Sequence, residues 1–255
     1  MADRLRGLIL DFDGTIAETE RFGHRLAYNR AFAELGLAWD WTEEIYGDLL
    51  SVAGGKERLR YYLERYHPER LADPSTVALI AEIHRAKIRH FARIAPMIPL
   101  RPGLLRLVRE SSLAGIKVAI ATTASKQGVE ALLAQDPVLP GMITVIAANE
   151  AVEKKKPAPD VYLWALERLA LEAEDCVAIE DSNVGLRAAL AAGLPTVVTV
   201  SDYTADDDFT GASAVLTCLG ADDQPALSLR GPRPGAGRVD LAFLGTIREG
   251  AVARS

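Results

Sequence analysis

The stretch Leu8-Ile9-Leu10-Asp11-Phe12-Asp13-Gly14-Thr15 ends an apolar run in two aspartates two positions apart. Side chains two apart on a strand share a face. Asp11 and Asp13 therefore start on one side at the carboxyl end of a buried strand, where ligands bind in open α/β sheets. Two carboxylates so near a core are costly without a cation or a shared proton. Taken alone, the same four letters Asp-Phe-Asp-Gly also fit a solvated turn. Three further strand ends carry chemistry. Thr122-Thr123 closes the run Lys117 to Ala121, and a hydroxyl there suits a phosphate oxygen as well as it suits a β-branched strand end. Lys154-Lys155-Lys156-Pro157 offers a compact ammonium for phosphate, or a solvated basic loop. Glu180-Asp181-Ser182 follows Cys176 to Ile179 and also reads as a helix N-cap. Each signal is modest and the conjunction is not. Asp11, Asp13 and Asp181 supply hard oxygen ligands for Mg²⁺. Thr122 or Thr123, together with Lys156, supplies a donor and a cation for a phosphoryl group. Strand-end alignment favours Thr122 and loop alignment favours Thr123. Ser125, in the same loop, is counted with Thr123 among the substrate contacts.

The elements that position these residues follow from hydrophobic period. From Pro96 onward, strands and helices alternate: helix 104–112, strand 116–121, helix 128–134, strand 142–147, helix 160–171, strand 176–179, helix 184–192 and strand 196–200. That alternation predicts an α/β fold, a Rossmann-like, mostly parallel sheet covered by helices. Between the first strand and this series, residues 20–95 read as amphipathic helices over 21–35, 57–66 and 77–91. The expected division is a catalytic core of 1–16 and 95–225 with an inserted helical cap of 17–94. A tail of 226–255 contains Gly231-Pro232-Arg233-Pro234-Gly235-Ala236-Gly237 and reads as loop or disorder.

Bulk properties narrow the function classes. A net charge of −6 argues against nucleic acid or an anionic membrane as the main partner, while leaving room for a locally positive site. No apolar stretch is long enough to span a membrane, and the first strand begins too early for a signal peptide. Cys176 and Cys218 have no metal or disulfide spacing, which points to a reducing cytoplasm. His24, His67, His84 and His90 form no zinc-type pair.

The order Asp-x-Asp, Thr, Lys-Pro, Glu-Asp resembles the haloacid-dehalogenase-like phosphatases over residues 5 to 220, with the insert matching that superfamily's helical cap. The resemblance implies that Asp11 is a nucleophile forming an aspartyl phosphate. It implies that Asp13 protonates the leaving oxygen and then activates water. It further implies Mg²⁺ held by Asp11, the Asp13 backbone carbonyl and Asp181, with Glu180 joining the metal group by orienting its shell from outside and Lys156 stabilising the transferring charge.

The cap must choose the substrate. Gly54-Gly55-Lys56-Glu57-Arg58 places two cations at a helix start, suited to a second anion or simply solvated. His84 and Lys87 are three apart and share a helix face, while Arg85 points elsewhere. Glu18 or Glu20, after the hinge, is placed to bond sugar hydroxyls. These stretches, with Ala17-Glu18-Thr19-Glu20, Leu100-Arg101-Pro102-Gly103 and Glu153-Lys154-Lys155-Lys156-Pro157, resemble the CbbY phosphatases associated with red-type Rubisco. That resemblance implies dephosphorylation of the sugar bisphosphate xylulose-1,5-bisphosphate to xylulose 5-phosphate, a functional link to Rubisco that does not require a physical one. Gly54, Gly55, Lys56, Arg58, His84, Arg85 and Lys87 would then bind substrate. Ser51-Val52-Ala53 departs from the group, where threonines are expected. A mutase resembling β-phosphoglucomutase and a non-catalytic phosphometabolite-binding regulator are the rival readings.

Overall fold

The computed structural model describes residues 5–52 and 54–252. Ala53 and the last three residues of the expected tail lie outside the described residues. The chain forms two compact units, one containing residues up to Glu18 and from Pro99 onward, the other spanning Thr19–Ile98. The expected cap limits, 17 and 94, each fall short of this division. Ala17 bridges Leu100, and the Arg101 amide donates to the Ile16 carbonyl at 2.9 Å, so both crossing strands are stitched to the first unit.

In chain order, β1 (Gly7–Leu10) is followed by the helices of the insert, α1 (Arg25–Glu34), α2 (Glu43–Leu49), α3 (Gly55–Tyr66) and α4 (Thr76–Ile94). The first unit resumes with α5 (Leu104–Leu113), β2 (Lys117–Ala121), α6 (Lys126–Leu133), α7 (Leu139–Met142) and β3 (Val145–Ala147). Then come α8 (Asp160–Leu169), β4 (Cys176–Glu180), α9 (Asn183–Ala191), β5 (Thr196–Thr199), β6 (Ala214–Leu216), β7 (Ser228–Arg230) and α10 (Leu241–Val252). Among the described residues these strands form one sheet in the order β3-β2-β1-β4-β5-β6-β7, parallel except for the β6–β7 pair. The α/β reading holds.

The central strand explains itself. Gly7-Leu8-Ile9-Leu10 is buried on both faces, as a parallel strand covered by helices must be. Leu10 lies beside Ile120 of β2 and Ile179 of β4. That register brings the residues just past all three strands to one edge. Ile9, Ala119 and Ala178 pack with Tyr162, Leu166, Ala188 and Ala189 of α8 and α9. The small alanines let the helices lie close to the sheet.

In the second unit, α1 packs against α4. Its centre is aromatic: Tyr28 and Trp41 rings are 4.4 Å apart, and Trp41 and Tyr62 rings 5.3 Å. A π-helical turn over Glu20–His24 leads into α1, a feature with no signal in the period of the sequence.

Two local expectations fail. Residues 142–147 are not one strand: Leu139–Met142, with Pro140 in its first turn, is helical, and the strand begins at Val145. The tail is not a loop. Ser228–Arg230 adds an antiparallel edge strand, and α10 packs against β4 and α5. The Arg106 guanidinium of α5 donates to the carbonyls of Leu219, Gly220 and Val239 at 3.0, 3.3 and 3.0 Å, binding the tail to the body. The Pro/Gly run gives a compact connection between two ordered pieces whose apolar residues Val239, Leu244 and Ile247 are buried.

Candidate active site

Four loops converge at the carboxyl edge of β1, β2 and β4. Asp11 directly follows β1, and its amide donates to the Ile179 carbonyl at 2.9 Å, so the strand pairing carries the residue rigidly. Asp13 is half-buried in the turn beyond, which closes through a Gly14 amide bond to the Ala17 carbonyl at 2.9 Å. Gly14 has φ +80°, and a Cβ there would run into the Asp181 carboxylate, so the turn and the close approach both require glycine.

Lys156, in the loop before α8 and followed by a cis peptide to Pro157, is buried. Its ammonium donates to Asp11 Oδ1 and Glu180 Oε1, both at 2.6 Å. The Tyr162 hydroxyl donates to Glu180 Oε1 at 2.6 Å. The Asp181 amide and the Ser182 hydroxyl reach Glu180 Oε2 at 3.1 and 3.4 Å. Glu180 is fully buried and accepts four donors, which fills the capacity of a carboxylate. Gly185 of α9 packs against both of its oxygens and leaves no space for a Cβ. Ser182 caps α9, its hydroxyl accepting from the Gly185 amide at 3.1 Å.

Asp11, Glu180 and Asp181 each bring a carboxylate oxygen within 4.8 Å of the others. Burial, then the charge of Glu180, pushes the Asp11 carboxyl up to about 8 against the pull of Lys156; Asp13 adds to the rise. Burial and the charges of Asp11 and Glu180 raise Asp181 well above the usual carboxylate range. Burial works against the Lys156 ammonium, but Asp11 and Glu180 outweigh it and hold it protonated. Two of the three buried carboxylates, Asp11 and Glu180, thus share one ammonium, and the charge of Arg101 acts on the third, Asp181. The excess negative charge and the hard oxygen donors fit a divalent cation.

Thr122 is buried at the end of β2, and its hydroxyl oxygen accepts from the Ala124 amide at 2.9 Å. Thr123 is exposed. Ser125 caps α6, accepting from the Gly128 amide at 3.3 Å. Thr15 is fully buried, and its hydroxyl has no partner among the described residues.

The second unit collects its own polar groups. Lys56 is exposed in the first turn of α3, after Gly54 at φ +93°. Arg58 is largely buried, donates to the Tyr46 hydroxyl at 2.9 Å and lies 3.9 Å from Glu20 Oε2. Tyr46 in turn bonds Glu20. The Tyr28 hydroxyl donates to the Gly55 carbonyl at 3.0 Å, Lys87 lies over the Tyr28 ring at 5.4 Å, and the His84 ring borders Gly55. Arg85 is exposed on the other side of α4. In the first unit, Glu18 ion-pairs with Arg101.

Sequence reasoning missed Tyr162, Tyr46 and the environment of Arg101. Tyr162 and Tyr46 look like ordinary apolar-face positions of helices, and only the fold reveals what their hydroxyls meet.

Comparison with known proteins agrees with this geometry. The profile of the haloacid dehalogenase-like hydrolases matches residues 5–193. The chain belongs to that family. It is an enzyme of the family's phosphatase kind. It is 47% identical to the plasmid-encoded protein CbbY of Cupriavidus necator over 246 residues, 94% of this chain and 95% of the relative. The crystal structure of CbbY from Rhodobacter sphaeroides with phosphate superposes with a TM-score of 0.75 at 42% identity, covering 84% of this chain and 94% of that one. A second crystal structure of that protein, an Asp-to-Asn variant with xylulose-1,5-bisphosphate, superposes equally well at 40% identity over 85% and 96% of the two chains.

Proposed function

We infer that the protein is a Mg²⁺-dependent phosphatase that removes one phosphate from xylulose-1,5-bisphosphate and releases xylulose 5-phosphate. The observation that carries the reading is the buried group of Asp11, Glu180 and Asp181 at a strand edge, the first two bonded by Lys156. The likeness to CbbY, whose variant was crystallised with that sugar bisphosphate, supports the choice of substrate.

In this reading Lys156 grips one Asp11 oxygen and keeps the carboxylate aimed. Asp11 attacks phosphorus, the bond from phosphorus to the sugar oxygen breaks, and Asp13 delivers a proton to the departing oxygen. Asp13 then takes a proton from water, which cleaves the aspartyl phosphate and frees inorganic phosphate. A Mg²⁺ held by Asp11, the Asp13 carbonyl and Asp181 supplies charge neutralisation for the two anions that must meet. Glu180 orients Lys156 and the Asp181 loop. The Thr122 hydroxyl keeps its proton available for a phosphate oxygen, because its contact with Ala124 uses it as an acceptor. Thr123 and Ser125 lie in the loop beside it.

On the insert, Lys56, Arg58 and Lys87 supply positive charge for the second phosphate, with Gly54, Gly55 and His84 beside them, while Arg85 faces away on the other side of α4. Glu18 bonds hydroxyls of the sugar. The enzyme is expected to act free in solution on a small molecule, and no described helix is long and apolar enough to cross a membrane.

The test is phosphate release from xylulose-1,5-bisphosphate, ribulose-1,5-bisphosphate and p-nitrophenyl phosphate with Mg²⁺, by wild type and Asp11→Asn. Loss of the nucleophile should lower turnover on all three by at least about 10⁴-fold. Equal activity of the two proteins would remove the covalent mechanism. Isomerisation of glucose 1-phosphate without net phosphate release would favour a mutase.

A further inference from the structure

Arg101, where the chain re-enters the first unit, is a buried arginine that the phosphatase chemistry above does not use. Its amide donates to the Ile16 carbonyl at 2.9 Å, and Leu100 bridges Ala17. Its guanidinium runs under the strand edge. Nη2 donates to the Val200 and Thr217 carbonyls at 2.7 and 3.1 Å, just past β5 and β6. Nη1 meets Glu18 Oε1. The Arg101 side chain is 5% exposed and the Glu18 side chain 25% exposed. Arg101 Nε is buried with no acceptor among the described residues.

Fold stability alone gives a poor account of this charge. An apolar side chain of similar length would fill the space without stripping water from an ion and without leaving a donor unpaired. The carbonyls of Thr199, Val200 and Thr217 lower the cost of burying the cation but do not neutralise it. Glu18, bonded directly to Nη1, and the nearby charge of Asp181 do, and the direct bond draws the Glu18 carboxylate to one place. Oε1 is taken by the guanidinium, and a quarter of the side chain is open, which leaves the second oxygen as a free acceptor on a carboxylate held by its first. The turn that begins with Asp11 thus ends in a carboxylate anchored to β5 and β6.

We propose that Arg101 is a positioning residue of this enzyme: anchored on the carbonyls past β5 and β6, it fixes the Glu18 carboxylate as the acceptor for hydroxyls of a polyol phosphate. This rests on the phosphatase reading above, and in particular on Glu18 as a sugar contact. The consequence is selective. A substrate with hydroxyls next to its phosphate ester needs the fixed carboxylate, and an aryl phosphate does not.

The experiment compares kcat/KM for xylulose-1,5-bisphosphate with kcat/KM for p-nitrophenyl phosphate in wild type, Arg101→Met, Arg101→Lys, Glu18→Gln and the double variant Glu18→Gln/Arg101→Met. The readout is the ratio of the two constants, so losses common to both substrates cancel. Losing one fixed, charge-assisted bond should lower that ratio about tenfold or more in Glu18→Gln and Arg101→Met, mostly through KM for the sugar. Arg101→Lys should recover part of it. The double variant should match the worse single within about twofold, since the two residues act as one unit. Additive losses in the double variant, or an Arg101→Met ratio equal to wild type, would overturn the proposal. Should Arg101→Met fail to fold, Arg101→Lys decides, because an unchanged ratio in that variant refutes the need for the two-pronged anchor. A Glu18→Gln ratio equal to wild type would refute the sugar contact itself, whatever Arg101 does. Failure of wild type to hydrolyse the bisphosphate at all would refute the substrate reading instead.

Discussion

The carboxylate cluster predicts a steep competition between protons and a divalent cation. Asp11 is pushed up to about 8, by burial first and by Glu180 second, and Asp181 is raised beside it. Below that pH a cation has to displace a proton from Asp11 before it binds. One displaced proton tightens binding about tenfold per pH unit, so Mg²⁺ affinity should rise about 100-fold between pH 6 and pH 8 and more steeply where Asp181 also releases its proton. The dependence should flatten above pH 8. The metal-free fold carries the matching sign. Asp11 has a folded value above the ordinary 3.8, so the native state binds more protons than the unfolded chain across that interval. The contribution of Asp11 to stability therefore falls as pH rises from about 4 to about 8, and bound Mg²⁺ restores it by mass action. Calorimetric titration of Mg²⁺ into chelator-stripped protein at pH 6, 7, 8 and 9, in buffers of different ionisation enthalpy, gives both affinity and proton release. Asp11→Asn serves as the control and should lose most of the slope. Affinity constant within threefold from pH 6 to pH 8, with no proton released, would refute a cation site built on raised carboxylates.

Lys56→Ala should lower kcat/KM for the sugar bisphosphate at least about tenfold while p-nitrophenyl phosphate hydrolysis falls by less than about threefold, because only the first carries a second phosphate; equal losses would remove Lys56 from that role. Gly185→Ala places a methyl against both Glu180 oxygens and should destabilise by about 3 kcal/mol, read as a fall in denaturation midpoint, with turnover falling because Glu180 can no longer hold Lys156. Truncation after Asp222 removes β7 and α10, uncovers β6 and deprives Arg106 of the Val239 carbonyl. With Val239, Leu244 and Ile247 gone from the core at roughly 2 kcal/mol each, the melting temperature should drop by more than about 10 °C or the protein should fail to fold. A truncated protein that melts like the full chain would return the tail to the status of an appendage.

The edge that gathers the candidate residues was legible because most of them are strand-coupled. Asp11, Thr122 and the Glu180-Asp181 pair stand at the ends of short apolar runs, and parallel pairing brings such ends together whatever the helices do between them; Lys156 reaches them from the loop between β3 and α8. The register of Leu10 with Ile120 and Ile179 is the physical form of that inference. The tail was misread for the converse reason. Its strand is three residues long and half-exposed, and its helix is apolar without a clean helical stripe. The Pro/Gly run between them dominates any local reading, while the contacts that order the tail come from Arg106, more than a hundred positions away. The π-turn at Glu20–His24 is similarly mute, since one widened turn leaves no periodic trace.

The part of Glu180 follows from counting its bonds. The spacing Glu180-Asp181 places two carboxylates at the same strand end, and composition cannot say which one meets a cation. In the fold, Glu180 has no exposure and accepts from Lys156, Tyr162, the Asp181 amide and Ser182, so a cation would have to evict a donor from it. Asp181 faces the Gly14 turn instead, against the one residue small enough to let it approach. The division of labour between neighbouring acids is thus set by donors on one side and a missing side chain on the other. Lys156 is the joint between them: it bonds Asp11 and Glu180 at the same distance. A change at Glu180, Tyr162 or Gly185 therefore reaches the Asp11 carboxylate through the lysine, and substitutions at these three positions should not add.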